Sequence, residues 1–308
     1  MRVAFAGSPP AAATVLRALV EGGQDIAVVI SQPDRPRGRG GRTVPTPVSA
    51  EAERLGLPLR RPASINEPAV LDEFADLGVE AVCVVGFGQI LRERLLADWR
   101  CLNVHFSILP AYRGAAPVER ALMDGCRETG VTIMQMDAGL DTGPTISVGR
   151  IAVAGDEDAG SVLQRLADAG GDLLLAALDD LARGTLVTTP QPDEGVSLAP
   201  KIGDEDVTLS PQATARQVVD RIRALSPHIG VGCVVDGQRF KLWKARPAER
   251  DDIREGELWV ADGRLFMPSA DGAVEILELQ PPNRNRMRAA DFLRGWRGGL
   301  ELGSGAAG

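Results

Sequence analysis

Apolar and polar positions follow two periods along this chain, and the switches between them mark its elements. Arg2–Ala6 is a short apolar run ending at Gly7, which predicts a first strand. Ala11–Glu21 has helical composition, with Pro9 or Pro10 at a first-turn position and Gly22-Gly23 as its end. Asp25–Ser31 is β-branched and completes a βαβ unit, so a parallel sheet is expected. Thr46–Leu55 predicts a helix with Thr46 as N-cap and Pro47 at its first position. Glu67–Leu77 predicts another, with Val70, Leu71, Phe74 and Leu77 at helical spacing. Ala81–Val85 is apolar throughout, as a strand is when helices cover both its faces. Leu102–His105 and Val131–Met136 predict further strands, one more ends near Val153, and Ser161–Ala182 predicts a long amphipathic helix.

The pattern changes after Gly184. Gly184–Glu205 carries T-T-P-Q-P-D-E-G and few apolar residues, and is expected to run loose between domains. Val207–Leu225 predicts a helix. Gly232–Val235, Arg239–Ala245, Glu257–Val260, Arg264–Met267 and Val274–Leu279 predict short strands, with Asp-Gly turns at Asp236, Asp262 and Asp271. Short strands at such spacing point to a small β-barrel. The tail G-S-G-A-A-G is expected to be disordered. The expected fold is therefore α/β: a Rossmann-like parallel-sheet domain over 1–187, a linker over 188–206, and a small OB-like β-barrel over 207–308.

Composition narrows the setting. A chain of 308 residues is comfortable for two domains. No apolar run approaches membrane-spanning length, and the N-terminus lacks the apolar core and cleavage site of a signal peptide. Cys83, Cys101, Cys126 and Cys233 show neither pairing nor metal spacing, so a reducing, cytoplasmic setting without disulfides or zinc is expected. The net charge of −8 argues against bulk affinity for nucleic acid. Its distribution leaves room for a local anionic partner: 15 basic residues face 13 acidic ones from Val207 onward, against 19 and 29 before it. Gln32–Arg42 (Q-P-D-R-P-R-G-R-G-G-R) concentrates Arg35, Arg37, Arg39 and Arg42 in a segment that its prolines and glycines keep irregular. It reads either as a solvated surface loop or as an arm for phosphate.

The turn after the first strand, G-S-P-P-A-A, lacks the G-x-G-x-x-G that brings a dinucleotide pyrophosphate to the backbone, so NAD chemistry is not expected. Candidate chemistry gathers instead between Cys101 and Gly143. Asn103 and His105 lie two apart, on one side of a strand, at the carboxyl end where open parallel sheets bind ligands. Asp141 follows in a glycine-flanked loop. Ser107 lacks the surroundings of a nucleophile elbow, so no serine triad forms. An amide, an imidazole and a carboxylate suit direct acyl transfer between two bound substrates. The amide steadies a tetrahedral oxyanion, the imidazole moves protons, and the carboxylate holds the imidazolium. No metal is required, and two histidines in the whole chain argue against a metal site. Gly86–Leu91 (G-F-G-Q-I-L) is either a plain turn or a loop that admits a flat ligand.

These motifs resemble a family. Asn-x-His, the S-x-L-P loop and an Asp set in G-L-D-T-G are similar to those of enzymes that take formyl from 10-formyltetrahydrofolate. The methionyl-tRNA formyltransferase family is closer than the rest. To it belong A-G-S-P, Q-P-D-R-P-x-G-R-G, P-x-P-V, R-G-A-A-P, T-G-V-T-I-M-Q-M-D-x-G-L-D-T-G, L-A-P-K-I, R-A-L-S-P and the late L-Q-P…D-F-L-R-G, covering the chain to about Gly295. The resemblance implies transfer of formyl from 10-formyltetrahydrofolate to the α-amino group of methionyl initiator tRNA, by direct attack of the amine. It implies Asn103, His105 and Asp141 as catalytic residues and Ser107, Ile108, Leu109 and Pro110 as a folate-binding loop. Phe87, Gly88, Ile90 and Leu91 would help wall the pterin, and Arg39 and Arg42 would meet tRNA. It further implies release of tetrahydrofolate, no metal, no membrane, and a cytoplasmic monomer. The sequence departs from the family at Phe106, where a small residue is usual, and at Ser8, Gly41, Arg92 and Pro144. A nucleotide-sugar amine formyltransferase, a formyl-folate hydrolase and a non-catalytic RNA-binding module are the alternatives.

Overall fold

The computed structural model describes residues 1–37, 42–297 and 299–303, without the side chains of 35–37 and 42. The chain forms two compact units. One holds Met1–Pro117, Glu128–Ile151 and Leu163–Pro200; the other holds Val118–Arg127, Ala152–Val162 and Lys201–Gly308.

The elements up to residue 200 are β1 (Arg2–Gly7), α1 (Pro10–Glu21), β2 (Asp25–Ile30), β3 (Arg35–Arg37), β4 (Arg42–Val44), α2 (Pro47–Leu55), β5 (Leu59–Arg60), α3 (Pro68–Asp76), β6 (Ala81–Val85), α4 (Glu93–Asp98), β7 (Arg100–His105), β8 (Arg113–Gly114), α5 (Pro117–Met123), β9 (Glu128–Gln135), β10 (Thr145–Ala152), α6 (Ala159–Arg183) and β11 (Leu198–Ala199). Local chemistry sets several boundaries. Proline opens α1, α2 and α3, where its missing N–H costs nothing. The Thr46 hydroxyl caps α2 by accepting the Ser49 N–H at 3.0 Å. Gly56, at φ 69°, ends it in the left-handed conformation.

The main sheet has the order β10-β9-β7-β6-β1-β2-β5. The β5-β2-β1-β6-β7 portion is parallel, as the βαβ pattern predicts. The pattern did not show that β9 joins β7 antiparallel, so the sheet is extended by two strands beyond the parallel set. Alternation splits β1 between two layers. Ala4 and Ala6 enter a core with Val28, Ile30, Phe74 and Val82. Val3 and Phe5, equally buried, take the other face. On α6 a glycine pair permits close packing: a Cβ on Gly170 would stand 2.8 Å from Val104 Cγ1, and one on Gly171 2.7 Å from Ala18 Cβ.

The second unit adds α7 (Ala215–Ala224), β12 (Val231–Val235), β13 (Gln238–Ala248), β14 (Trp259–Ala261), β15 (Arg264–Ser269), β16 (Gly272–Gln280), β17 (Met287–Arg288) and α8 (Ala289–Gly295). α7 is shorter than its periodicity predicts. Residue Thr208 bridges to Gly232, and the helix starts only at Thr214, where a capping box with Gln217 overrides the upstream apolar residues. The antiparallel order is β12-β13-β16-β15-β14, with β17 on β16. Residues 301 and 302 bridge to Glu257 and Val235, joining the two outer edges and closing the expected small barrel. Asp236-Gly237 and Asp262-Gly263 have positive φ at both positions, as a two-residue hairpin turn of matching twist requires. At Asp271 the turn shifts back by one: Ser269 pairs with Gly272, leaving Ala270-Asp271 as the loop. The Gly303 N–H donates to the Val234 carbonyl at 3.0 Å, so this first residue of the expected disordered tail is held. Residues 304–308 lie outside the description.

Candidate active site

β7 delivers Asn103 and His105 to the carboxyl end of the parallel strands, where they pair with Met134 and Thr132 of β9. Both side chains are mostly buried, at 8% and 5% exposure. The His105 Nε2 stands 2.9 Å from the Tyr112 carbonyl. A carbonyl only accepts, so Nε2 carries a proton and Nδ1 holds the free pair of the neutral ring. Nδ1 faces Asp141 Oδ2 at 3.6 Å. Burial pulls the His105 pKa below the ordinary histidine value, against the opposing pull of the Asp141 carboxylate and the Tyr112 carbonyl. The neutral ring is therefore the form present at neutral pH, ready to accept a proton at Nδ1.

Asp141 sits in the loop between β9 and β10 with φ 52°, a left-handed backbone unusual for a side chain with a Cβ. The loop is shaped by Asp137, whose Oδ1 accepts the Gly139 N–H at 3.0 Å and the Thr142 hydroxyl at 2.8 Å. Asp141 Oδ2 also accepts the Gly114 N–H of β8 at 2.8 Å, which orients the carboxylate. Among the described residues nothing hydrogen-bonds the Asn103 side chain, so its amide is left for a ligand. The fold thus brings together the Asn103 amide, the neutral His105 ring and the Asp141 carboxylate.

The Ser107–Pro110 loop follows β7 directly. The Ser107 hydroxyl donates to the Ala111 carbonyl at 2.6 Å. Thr132 Oγ1 donates to the Ser107 carbonyl at 2.7 Å and accepts the Leu109 N–H at 3.2 Å. Ser107 and Leu109 are buried, while Ile108 and Pro110 are partly open. Phe87 and Leu91 enter the Phe74 core, Gly88 turns at φ 77°, and Ile90 is 83% exposed. That segment is held from two sides. Gln32 Nε2 donates to the Phe87 carbonyl at 3.0 Å, and Gln89 spans Ala63 and Ile65. Asn66 donates to the Ile90 carbonyl and accepts from the Arg92 N–H. Arg39 lies outside the described residues. Arg42 lies on β4, paired with Arg37, with its side chain outside the description.

Phe106 does not open into the loop region as a bulky neighbour of His105 could. It is buried, and its ring edge comes within 3.9 Å of where a Cβ on Gly170 would be. A Cβ there would make only ordinary contact with the ring; its tight approaches would be to Val104 and Val131, at 2.8 and 3.2 Å.

Sequence reasoning missed Thr132, Gln89, Asn66 and Gln191. The last lies in the stretch expected to run loose, yet its Nε2 donates to the Asp141 carbonyl at 2.8 Å and the Gly143 carbonyl at 2.7 Å. Asp137 alone carried a local signal, the D-x-G of an Asx turn. Among the described residues no group of three or more His, Cys, Asp and Glu could hold a metal, and no helix is long and apolar enough to cross a membrane.

Residues 1–178 match the formyl transferase family and residues 201–297 match the formyl transferase C-terminal domain. A methionyl-tRNA formyltransferase of Rubrobacter xylanophilus is 50% identical over 301 residues, spanning 96% of this chain and 97% of its own. One from Halorhodospira halophila is 41% identical over 300 residues, spanning 96% of each. The crystal structure of HypX from Aquifex aeolicus in complex with tetrahydrofolic acid shares the fold, with a TM-score of 0.68 at 18% identity over 99% of this chain and 51% of that one. An Asn-x-His strand end facing an Asp loop, on a chain matched nearly end to end, places this protein in the formyltransferase family, with the methionyl-tRNA formyltransferases.

Proposed function

We propose that this chain transfers formyl from 10-formyltetrahydrofolate to the α-amino group of methionyl initiator tRNA, with Asn103, His105 and Asp141 as its catalytic residues. The observation that carries the mechanism is the Nδ1 of a neutral His105 facing Asp141 beside an uncommitted Asn103 amide. The neutral amine attacks the formyl carbon, and the carbonyl oxygen becomes an oxyanion that the Asn103 amide N–H stabilises. The nitrogen proton passes to His105 Nδ1, and Asp141 stabilises the imidazolium. The bond from the formyl carbon to the folate nitrogen then breaks, that nitrogen takes up a proton, and formylmethionyl-tRNA and tetrahydrofolate leave.

Ser107–Pro110 and Phe87–Leu91 are the proposed folate contacts, supported by their position beside the strand end that carries His105. Arg39 and Arg42 are the proposed tRNA contacts, supported by their charge and the arginines clustered around them; the segment expected to be irregular instead pairs Arg35–Arg37 with Arg42–Val44 as a short antiparallel ladder. Residues 1–187 form the proposed catalytic domain, 188–206 the connection, and 207–308 the proposed tRNA-binding barrel, in a cytoplasmic monomer. The test is incubation with 10-formyltetrahydrofolate and aminoacylated initiator tRNA, scoring tetrahydrofolate release, beside an amino-sugar nucleotide as acceptor. Release with the tRNA alone is expected; release with the sugar alone refutes the acceptor assignment.

A further inference from the structure

We infer that Gln191 is a positioning residue for the catalytic carboxylate, acting on Asp141 through its backbone. For its kinetic arm this rests on the formyl-transfer reading; for its spectroscopic arm it rests on the geometry alone.

All the hydrogen-bonding arms of the Gln191 amide that the fold engages converge on one place. Nε2 donates to the carbonyls of Asp141 and Gly143, at 2.8 and 2.7 Å. Oε1 accepts from Arg113 Nε and Nη2, at 3.1 and 2.7 Å. Gly114, next to Arg113, gives its N–H to Asp141 Oδ2 at 2.8 Å. Gln191 therefore ties together the two segments whose separation sets where the carboxylate points: the loop that carries Asp141, and the strand that supplies its amide donor. Asp141 takes φ 52°, a left-handed conformation open to aspartate, and the Gln191 amide holds the carbonyl of that residue.

The chain around Gln191 is itself fixed. Thr189 and Thr145 exchange two backbone hydrogen bonds at 2.8 Å. Ser197 accepts the Tyr112 N–H on its hydroxyl and the Arg113 N–H on its carbonyl. β11 pairs with β8, Leu198 opposite Arg113 and Ala199 opposite Gly114. Removing the Gln191 amide thus leaves the segment anchored at both ends and releases the Asp141 loop together with the Arg113 guanidinium. The gap from His105 Nδ1 to Asp141 Oδ2, 3.6 Å, is longer than a hydrogen bond. A carboxylate held at such a distance loses its grip on the imidazole with a small outward movement.

The experiment uses the full-length protein with Gln191→Met, which keeps side-chain length and charge, and Gln191→Ala. Among the described residues the charged group that faces His105 is Asp141 from the β9–β10 loop, which neither variant replaces, while both remove the Gln191 acceptor of the Arg113 guanidinium. The chain has two histidines, so NMR titration of His105 is read directly, with His228→Gln assigning the other signal. Both variants should titrate His105 at lower pH than the parent, part of the way to Asp141→Asn, because a carboxylate that raises the pKa has moved off. kcat should fall roughly tenfold to a hundredfold, while KM for the formyl donor stays within about twofold and melting stays close to the parent. An unchanged His105 titration overturns the inference, whether kcat is unchanged or falls with melting temperature as a structural tie would have it. Should the parent transfer no formyl to methionyl-tRNA, the functional reading fails, and the titration alone decides the role of Gln191.

Discussion

The His105 Nε2 is held at 2.9 Å by the main-chain carbonyl of Tyr112, which fixes the tautomer of the ring. That contact spends one nitrogen and leaves the other, Nδ1, as the only base the ring can offer. Asp141 lies on the Nδ1 side, so the carboxylate stands where positive charge appears when the proton arrives.

A rate profile follows from this arrangement. Burial lowers the His105 pKa, so the neutral, active ring persists below the ordinary histidine value, and activity falls only as pH drops through that lowered value. Asp141→Asn removes a carboxylate that raises the pKa. Its acid limb should move to still lower pH while its plateau falls by about a hundredfold or more. The limb set by the substrate amine is common to both proteins, so the difference between their kcat/KM profiles isolates the ring. A limb that moves upward in Asp141→Asn contradicts the arrangement.

Asn103→Ala should lower kcat by about 10²–10³, the effect of losing one oxyanion donor, with little change in donor KM. Among the described residues the amide has no partner to lose, so thermal melting should stay near the parent. A large drop in melting temperature, with kcat/KM recovered on cooling, would instead mark Asn103 as structural.

Thr132→Val keeps shape and removes the hydroxyl that serves the Ser107 carbonyl and the Leu109 N–H. Two buried polar groups then lose their partner, at a cost of about 1–3 kcal/mol each at most. If the Ser107–Pro110 loop contacts the formyl donor, donor KM should rise more than kcat falls. Steady-state kinetics with the donor varied checks this, and an unchanged KM separates the loop from donor binding.

Gly170→Ala should destabilise the protein by about 1–3 kcal/mol, because the added methyl meets Val104 at 2.8 Å and Val131 at 3.2 Å. Joining it to Phe106→Ala leaves those two contacts in place and relieves only the longer approach to the ring. The double variant should therefore not recover parental stability in chemical denaturation.

Glu51 binds Arg54 on its own helix and Arg17 on α1, and these partners, Arg54 first, hold its carboxyl at about 2. The folded value lies below the ordinary 4.5, so the stabilisation is complete above 4.5 and is lost as pH falls towards 2. Glu51→Gln should lower stability at neutral pH by about 1–2 kcal/mol, reduced from a fully buried pair because both arginines are about half exposed. The gap between the two denaturation midpoints should close as the pH is taken from 5 to about 2; a gap that persists at low pH locates the effect elsewhere.

What the chain determined by itself was everything encoded over a few neighbouring residues. Strand and helix periods, Thr46-Pro47 at a helix start, the Asp-Gly turns at 236 and 262, and the two-residue step that sets Asn103 and His105 on one side of β7 are local steric and hydrogen-bonding preferences, so they are readable in order. Asp141 was readable for its glycine-flanked loop, though not its distance from His105. Tertiary structure alone decided that β9 would run antiparallel, that Tyr112 would choose the tautomer, and that Gly170 would press against Val104 and Val131. It alone brought Gln191 back across 50 residues to the loop of Asp141. Those outcomes depend on which backbone groups meet after the chain has packed, and a polar side chain in a proline-rich stretch gives no sign beforehand of the carbonyl it will find.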